Sequence, residues 1–152
     1  MARMHSRKKG KSGSKHPVAE ISPSWLQYSK EEVVELVLQM AKEGKNSSKI
    51  GLILRDQHGI PSVKAVVGKS ITEILDENKM LPKYPEDLMN LMRKAVRLHK
   101  HVAINKQDKH NTRSMKLIES KIKRLVSYYK KSGRLEDKWY YTPEGAALLV
   151  KE

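Results

Sequence analysis

From Ser29 onward, apolar residues recur at intervals of three and four, broken by serine, glycine and proline. Three to four is the repeat that returns a side chain to the same face of an α-helix, so the pattern predicts a succession of amphipathic helices. In "EEVVELVLQMAKEG", Val33, Leu36/Val37 and Met40/Ala41 share a face. Ser29 and Glu32 have the spacing of a capping box before it, and Gly44 stops it. Ser47 is placed to cap "SKIGLILRDQHG", in which Ile50, Ile53 and Leu54 are apolar and Gly59 ends the run. "IPSVKAVVG" is ambiguous, because its β-branched residues also suit a strand; Ser62 as cap and Gly68 as stop favour a short helix. Ser70 with Glu73 repeats the capping-box spacing before "ITEILDEN". Residues 29–80 therefore read as a small helical bundle. A helix-turn-helix reader of DNA is conceivable there, but the segment is net negative and a packing bundle fits better.

Longer regularity follows. "LPKYP" breaks the chain, Pro85 suits a first helical turn, and Glu86 and Asp87 stand near the positive end of that helix dipole. Leu88, Leu91, Ala95, Leu98 and Val102 then alternate three and four apart, and after "NKQDKHNT" so do Met115, Ile118, Ile122, Leu125 and Tyr129. Matching seams with a short connection predict an antiparallel helical hairpin over residues 81–134. In a C-terminal extension, residues 135–152, Thr142-Pro143-Glu144 opens a short final helix, and Trp139 is expected to pack rather than to stack on a base. The expected fold class is all-α: a small N-terminal helical bundle, then a long antiparallel helical hairpin, preceded by a basic disordered tail over residues 1–28.

Charge changes the picture from packing to partners. The 152 residues include 31 Lys+Arg and 17 Asp+Glu, a net charge of +14. Such a surplus repels itself in a compact chain unless a polyanion screens it, so nucleic acid is the first expectation and an acidic membrane surface the second. Cysteine is absent, which excludes a disulfide scaffold and thiolate-based metal or redox sites. No apolar run approaches the roughly 20 residues that span a bilayer, and the basic start lacks the apolar segment of a secretory signal. Residues 93–134 hold fourteen bases against only Asp108 and Glu119, and residues 1–15 hold six bases and no acid. The remaining segments, 16–92 and 135–152, are each net −2. Charge so divided suggests a docking face and a docking tail. The tail candidates are Arg3, His5, Arg7, Lys8, Lys9, Lys11 and Lys15, with Gly10 and Gly13 allowing close backbone approach to phosphates. On the second hairpin helix, the face opposite the seam carries Arg113, Lys116, Ser120, Lys123, Arg124, Ser127, Lys130 and Lys131. Cations there neutralise phosphate and hydroxyls donate to it, whereas an ordinary solvated face mixes both signs.

Within this basic region, "HKHVAINKQDKHNTRS" gathers three histidines and an aspartate. His99 and His101 are two apart on a helix, so they point about 200° from one another and cannot share one ion. A site from His101, Asp108 and His110 without cysteine would be open and weak, and a two-helix hairpin offers no cleft for a catalytic His-Asp pair. Neither metal, cofactor nor enzyme activity is expected. An acid beside a polyanion is tolerated where it meets donors, and the guanine amino group in the wide minor groove of an RNA helix is one. His101, Asp108, His110, Asn111 and Thr112 therefore read as a minor-groove reader next to the phosphate stripe. The competing reading is that Asp108 or Asn111 caps the second helix, and both roles can coexist.

"HVAINKQDKHNTRSMKLIESKIKRLVSYYKK" resembles the core of the family of small-subunit ribosomal protein fifteen. That family's pattern is met by His101, Asp108, His110, Asn111, Arg113, Leu125, Tyr128 and Lys130 without a gap. "RMHS", "PSWL", "KIGLILRDQHGIPSVKAVVG" and "YPEDL" resemble its longer archaeal and eukaryotic branch, so the likeness covers essentially the whole chain. The resemblance implies direct binding to the central domain of small-subunit rRNA, at a helix minor groove with a G·U/G·C element and at a three-way junction. His101 and Asp108 match the family's minor-groove residues, and Asn111 stands where bacterial members carry Ser. Tyr128 and Lys131 match junction-contacting positions, Lys131 replacing Arg. The bacterial junction loop rich in Gly, Thr and Gln has no counterpart in "LPKYPED". The resemblance also implies a place in the cytoplasmic ribosome, an early role in subunit assembly, neighbouring small-subunit ribosomal proteins as partners, and contact with large-subunit rRNA through an inter-subunit bridge, with no membrane partner. A non-ribosomal DNA- or RNA-compacting protein would share the charge but would not require the Asp-His turn.

Overall fold

The computed structural model describes Gly13 and residues 23–151, and all regular structure among them is helical. The tail candidates Arg3, His5, Arg7, Lys8, Lys9, Lys11 and Lys15 lie outside the described residues. The chain divides into two compact units at the Lys83–Tyr84 junction.

The first unit holds α1 (Lys30–Lys42), α2 (Ser47–Gln57), α3 (Val63–Val67) and α4 (Ile71–Glu77). Both capping boxes form. Ser29 Oγ accepts from Glu32 N–H at 3.3 Å while Glu32 Oε2 accepts from Ser29 N–H at 2.7 Å, and Ser70 and Glu73 repeat both bonds. Each box satisfies two N–H groups that a helix start leaves without partners. The ambiguous "IPSVKAVVG" is helical: Ser62 caps α3 through Ala65 N–H, and Gly68 ends it at φ 86°, a conformation that favours glycine. The cap of α2 differs from expectation. Ile50 N–H bonds the Asn46 carbonyl at 2.9 Å, so the first turn closes on Asn46 and Ser47 is already inside the helix. α1 packs against the other three helices, and Val33, Val37, Ile50, Leu54, Ile60 and Ile74 form the centre of this core.

The second unit holds α5 (Glu86–Ile104), α6 (Lys109–Lys131) and α7 (Pro143–Lys151), with α5 packed against both others. Pro85 stands at the N-cap of α5 rather than in its first turn. The apolar seam is wider than the hairpin pattern implied. Leu88, Ala95, Ile118 and Ile122 are buried as expected, but so are Met92, Val96 and Val126, while Leu91, Leu98, Leu125 and Tyr129 are only partly covered. The cause is α7. It brings Ala146, Ala147 and Leu149 into the same cluster, so α5 buries a broad arc against two helices instead of a narrow seam against one. Thr142 Oγ1 accepts from Gly145 N–H at 3.1 Å and caps the start of α7. Trp139 packs into this core as expected, its ring 6.0 Å from that of Tyr84.

Tyr129, near the end of α6, donates its hydroxyl to Asp87 at the start of α5, at 2.8 and 2.7 Å from the two carboxylate oxygens. Burial, then the Asp87 hydrogen bond and charge, push the phenol up to about 12. A folded-state value above the ordinary 10 means that this contact stabilises fully below about pH 10 and is lost as pH rises through about 12. Thermal melts between those limits should show this loss in the native chain and a shallower pH dependence in Tyr129→Phe. Parallel curves for the two proteins would show that the bond contributes nothing.

Candidate nucleic-acid interface

Four residues separate α5 from α6, and their geometry follows from Asp108. Its backbone N–H bonds the Asn105 carbonyl at 3.1 Å, which turns the chain, and its side chain caps α6. Oδ1 accepts from Asn111 N–H at 2.9 Å. Oδ2 accepts from the Asn111 side-chain amide at 2.7 Å and from His101 Nε2 at 2.9 Å. An ionised carboxylate only accepts, so Nε2 of His101 carries a proton. Asn105 Nδ2 lies 3.3 Å from the other ring nitrogen and donates to the His101 carbonyl at 3.1 Å. Thr112 Oγ1 donates to the Asp108 carbonyl at 2.8 Å. The Asn111 backbone N–H, then the His101 imidazole and the Asn111 amide, hold Asp108 well below the usual carboxylate range.

The structure thus brings His101, Asp108, Asn111 and Thr112 together, and it makes Asp108 rather than Asn111 the cap. His110 is exposed on the first turn of α6 and stands apart from this network. His99 meets a different acid from His101: its Nε2 lies 2.8 Å from Glu119 Oε1 of α6. Both carboxylates of residues 93–134 are therefore engaged by histidines of α5. Among the described residues, no three of His, Asp and Glu stand together to hold a metal ion, and no helix is long and apolar enough to cross a membrane.

Along α6, Arg113, Lys116, Ser120, Lys123, Arg124, Ser127 and Lys131 are exposed on the face away from the core. None of these cations pairs with an acid among the described residues, whereas in the first unit Lys45 pairs with Glu43, Arg55 with Asp56 and Lys69 with Glu77. Two members of the expected stripe are partly engaged. Lys130 is half-buried and donates to the Asp137 carbonyl, and Ser120 donates its hydroxyl hydrogen to the Lys116 carbonyl at 2.9 Å. Tyr128 is exposed, with its ring edge-on to Tyr129 at 5.2 Å. The structure adds two residues that sequence reasoning passed over. Lys106 and Lys109 join Thr112, Arg113 and Lys116 around a shallow depression beside the turn. Their signal was present as cations on both sides of Asp108, inside the stretch in which only Asp108, His110, Asn111 and Thr112 were assigned a role.

Residues 1–60 match the family model for the ribosomal S13/S15 N-terminal domain, and residues 71–149 match that for ribosomal protein S15. The chain is 48% identical over 150 residues to the small ribosomal subunit protein uS15 of Methanocella arvoryzae, covering 99% of each chain. It is also 48% identical over 150 residues to that of Methanococcoides burtonii, again covering 99% of each. Identity to the Methanobrevibacter smithii protein of the same name is 54% over 129 residues, 85% of this chain and 98% of that one. With the two family models matched in tandem and the relatives aligned almost end to end, the chain belongs to the ribosomal protein S15 family, in the long form of these archaeal members.

Proposed function

We propose that this chain is a structural component of the small ribosomal subunit that binds the central domain of its rRNA through the outer face of α6 and the α5–α6 turn, and supports subunit assembly. One observation carries the reading: the α6 face presents cations without acidic partners among the described residues, while Asp108 and Glu119 are tied to histidines. A polyanion offsets such a face; Lys45, Arg55 and Lys69 of the first unit, by contrast, each pair with an acid. Arg113, Lys116, Lys123 and Arg124 neutralise backbone phosphates, with Lys106 and Lys109 extending the surface around the turn. His101, Asn111 and Thr112, oriented by Asp108, meet a helix minor groove. Tyr128 and Lys131 meet a three-way junction. The tail residues add phosphate contacts, and contact with large-subunit rRNA is part of the same reading. The chemistry is binding, not catalysis, in keeping with the ribosomal names of its relatives.

Lys116→Ala, Lys123→Ala and Arg124→Ala should each lower the salt slope of binding to a small-subunit central-domain fragment by about one unit. Affinity for unrelated RNA should fall in parallel, because phosphate contacts carry no sequence information. Slopes unchanged in all three variants would make the stripe an ordinary solvated face. Equal binding of the native chain to duplex DNA and to the rRNA junction would instead favour a general compacting protein.

A further inference from the structure

The first unit carries one large apolar side chain that its core does not take up. Trp25 is 72% exposed, whereas the other tryptophan, Trp139, packs into the core of the second unit. Its chain neighbours show how it is held out. Leu26 N–H bonds the Pro23 carbonyl at 3.3 Å, which folds Pro23, Ser24, Trp25 and Leu26 into a turn. Leu26 packs against the helical core of this unit. Two residues on, the Tyr28 hydroxyl lies 3.3 Å from His58 Nδ1, and the two rings meet edge to face with centroids 5.8 Å apart. Two anchors, one apolar and one polar, therefore follow Trp25 directly, and the indole stands on a held support.

An indole left in water forgoes one of the largest apolar burials a side chain can make. On a turn anchored in this way, it meets a partner with little further loss of conformational freedom. The kind of partner follows from what surrounds it. Residues 23–30 hold no acid, and Glu32 just beyond them is committed to the Ser29 N–H. The other exposed large hydrophobics described in this unit are Tyr28 and Leu52, and Tyr28 is turned onto His58. One free indole is too little for a protein interface, which needs an apolar centre built from many residues. It is enough for a nucleobase, because stacking needs a single aromatic face. The tail cations, which end at Lys15, lie upstream on the same stretch of chain.

We infer that Trp25 is a stacking platform for an unpaired RNA base. The inference rests on the proposed RNA-binding role of the chain, and it adds a base contact in the first unit to the phosphate contacts of α6 and the tail. The ligand is an exposed nucleobase in a loop, bulge or single strand, and its identity matters little, since every base offers a π face. A base inside a continuous duplex has both faces covered by its neighbours and does not fit.

The test uses the full chain and two probes, a short oligouridylate RNA and a long poly(A)·poly(U) duplex, each titrated over a range of salt. Trp25 emission is read as the difference between the native chain and Trp25→Phe. Oligouridylate should quench it, and the duplex should not. Trp25→Ala and Trp25→Leu should weaken oligouridylate binding about five- to a hundredfold with the salt slope unchanged, because stacking releases no counterions. Trp25→Tyr should keep most of the affinity, since an aromatic face is what is required. Duplex binding should be the same in all of these variants. Unquenched Trp25 emission, equal losses in Trp25→Leu and Trp25→Tyr, or an equal loss on the duplex would overturn the inference, the first of these leaving the indole to a protein partner. Lys116→Ala/Lys123→Ala/Arg124→Ala separates this inference from the role of α6, because that variant should lower the salt slope on both probes. A slope it leaves unchanged, with Trp25 still quenched, would remove the α6 stripe and leave Trp25 standing. Urea midpoints of the Trp25 variants should match that of the native chain, because the side chain is exposed.

Discussion

Met92→Ala and Ile122→Ala should each destabilise the α5–α7 unit by about 2–5 kcal/mol, the usual cost of truncating a large, fully buried apolar side chain. Both residues are 0% exposed and lie in the cluster that α5 shares with α6 and α7. Truncation removes apolar surface from burial and leaves a void that the helices on both sides cannot fully close. Leu98→Ala and Leu125→Ala should cost distinctly less, because each is only partly covered. Lys116→Ala, on the exposed face, should leave the midpoint unchanged. Urea unfolding followed through Trp139 fluorescence in a Trp25→Phe background would report on this unit. A Leu98→Ala loss equal to that of Met92→Ala would mean that α5 buries a narrow two-helix seam after all.

Asp108→Ala should lower affinity for the cognate rRNA helix about ten- to a hundredfold, the size of one good base-edge contact. It should leave binding to random duplex equal or slightly tighter, since one negative charge is gone. Asp108 holds His101 and Asn111 in place while capping α6, so the substitution disturbs both the proposed reading surface and the helix start. Asp108→Asn separates the two effects. Asparagine is as good an N-cap as aspartate, so thermal stability should recover. Its amide cannot accept from both Asn111 N–H groups and from the His101 N–H at once, so cognate affinity should stay low. Recovery of binding along with stability would reduce Asp108 to a cap; unchanged preference for cognate over random RNA in Asp108→Ala would remove the turn from recognition. The lowered carboxyl value sets the pH dependence. The contribution is present above the ordinary 3.8 and is lost as pH falls below it towards the folded-state value, so the turn should stay intact through mildly acidic buffers.

Features encoded by neighbours within a turn of helix were legible in the sequence. Ser29 with Glu32, Ser70 with Glu73 and Ser62 with Gly68 each needed only local spacing, and each formed. The Asp108 turn was legible as a cluster, but its two readings, cap and recognition element, share the same residues and spacing. What escaped depends on other elements. Met92 and Val96 are buried because α7 returns to α5, and nothing in the alternation from Leu88 to Val102 announces a third helix. His99 was read only as wrongly spaced for a metal pair; its partner Glu119 is twenty residues away on α6. Ser47 was a reasonable cap from composition, but backbone closure on Asn46 moved the start by one residue.

The polar contacts between α5 and α6 also settle a choice that the apolar ones leave open. Seams that repeat every seven residues can slide past one another by a heptad and still meet apolar to apolar. His99 bonds Glu119 at one end of the hairpin, and Tyr129 bonds Asp87 at the other. Twelve residues back along α5, from His99 to Asp87, answer to ten forward along α6, from Glu119 to Tyr129, so both links agree on one antiparallel register. A heptad slip would break both together and leave Asp87 and Glu119 facing the wrong helix turns. Burial supplies the strength of the hairpin, while these two links decide its alignment and, through it, where each outward cation comes to stand.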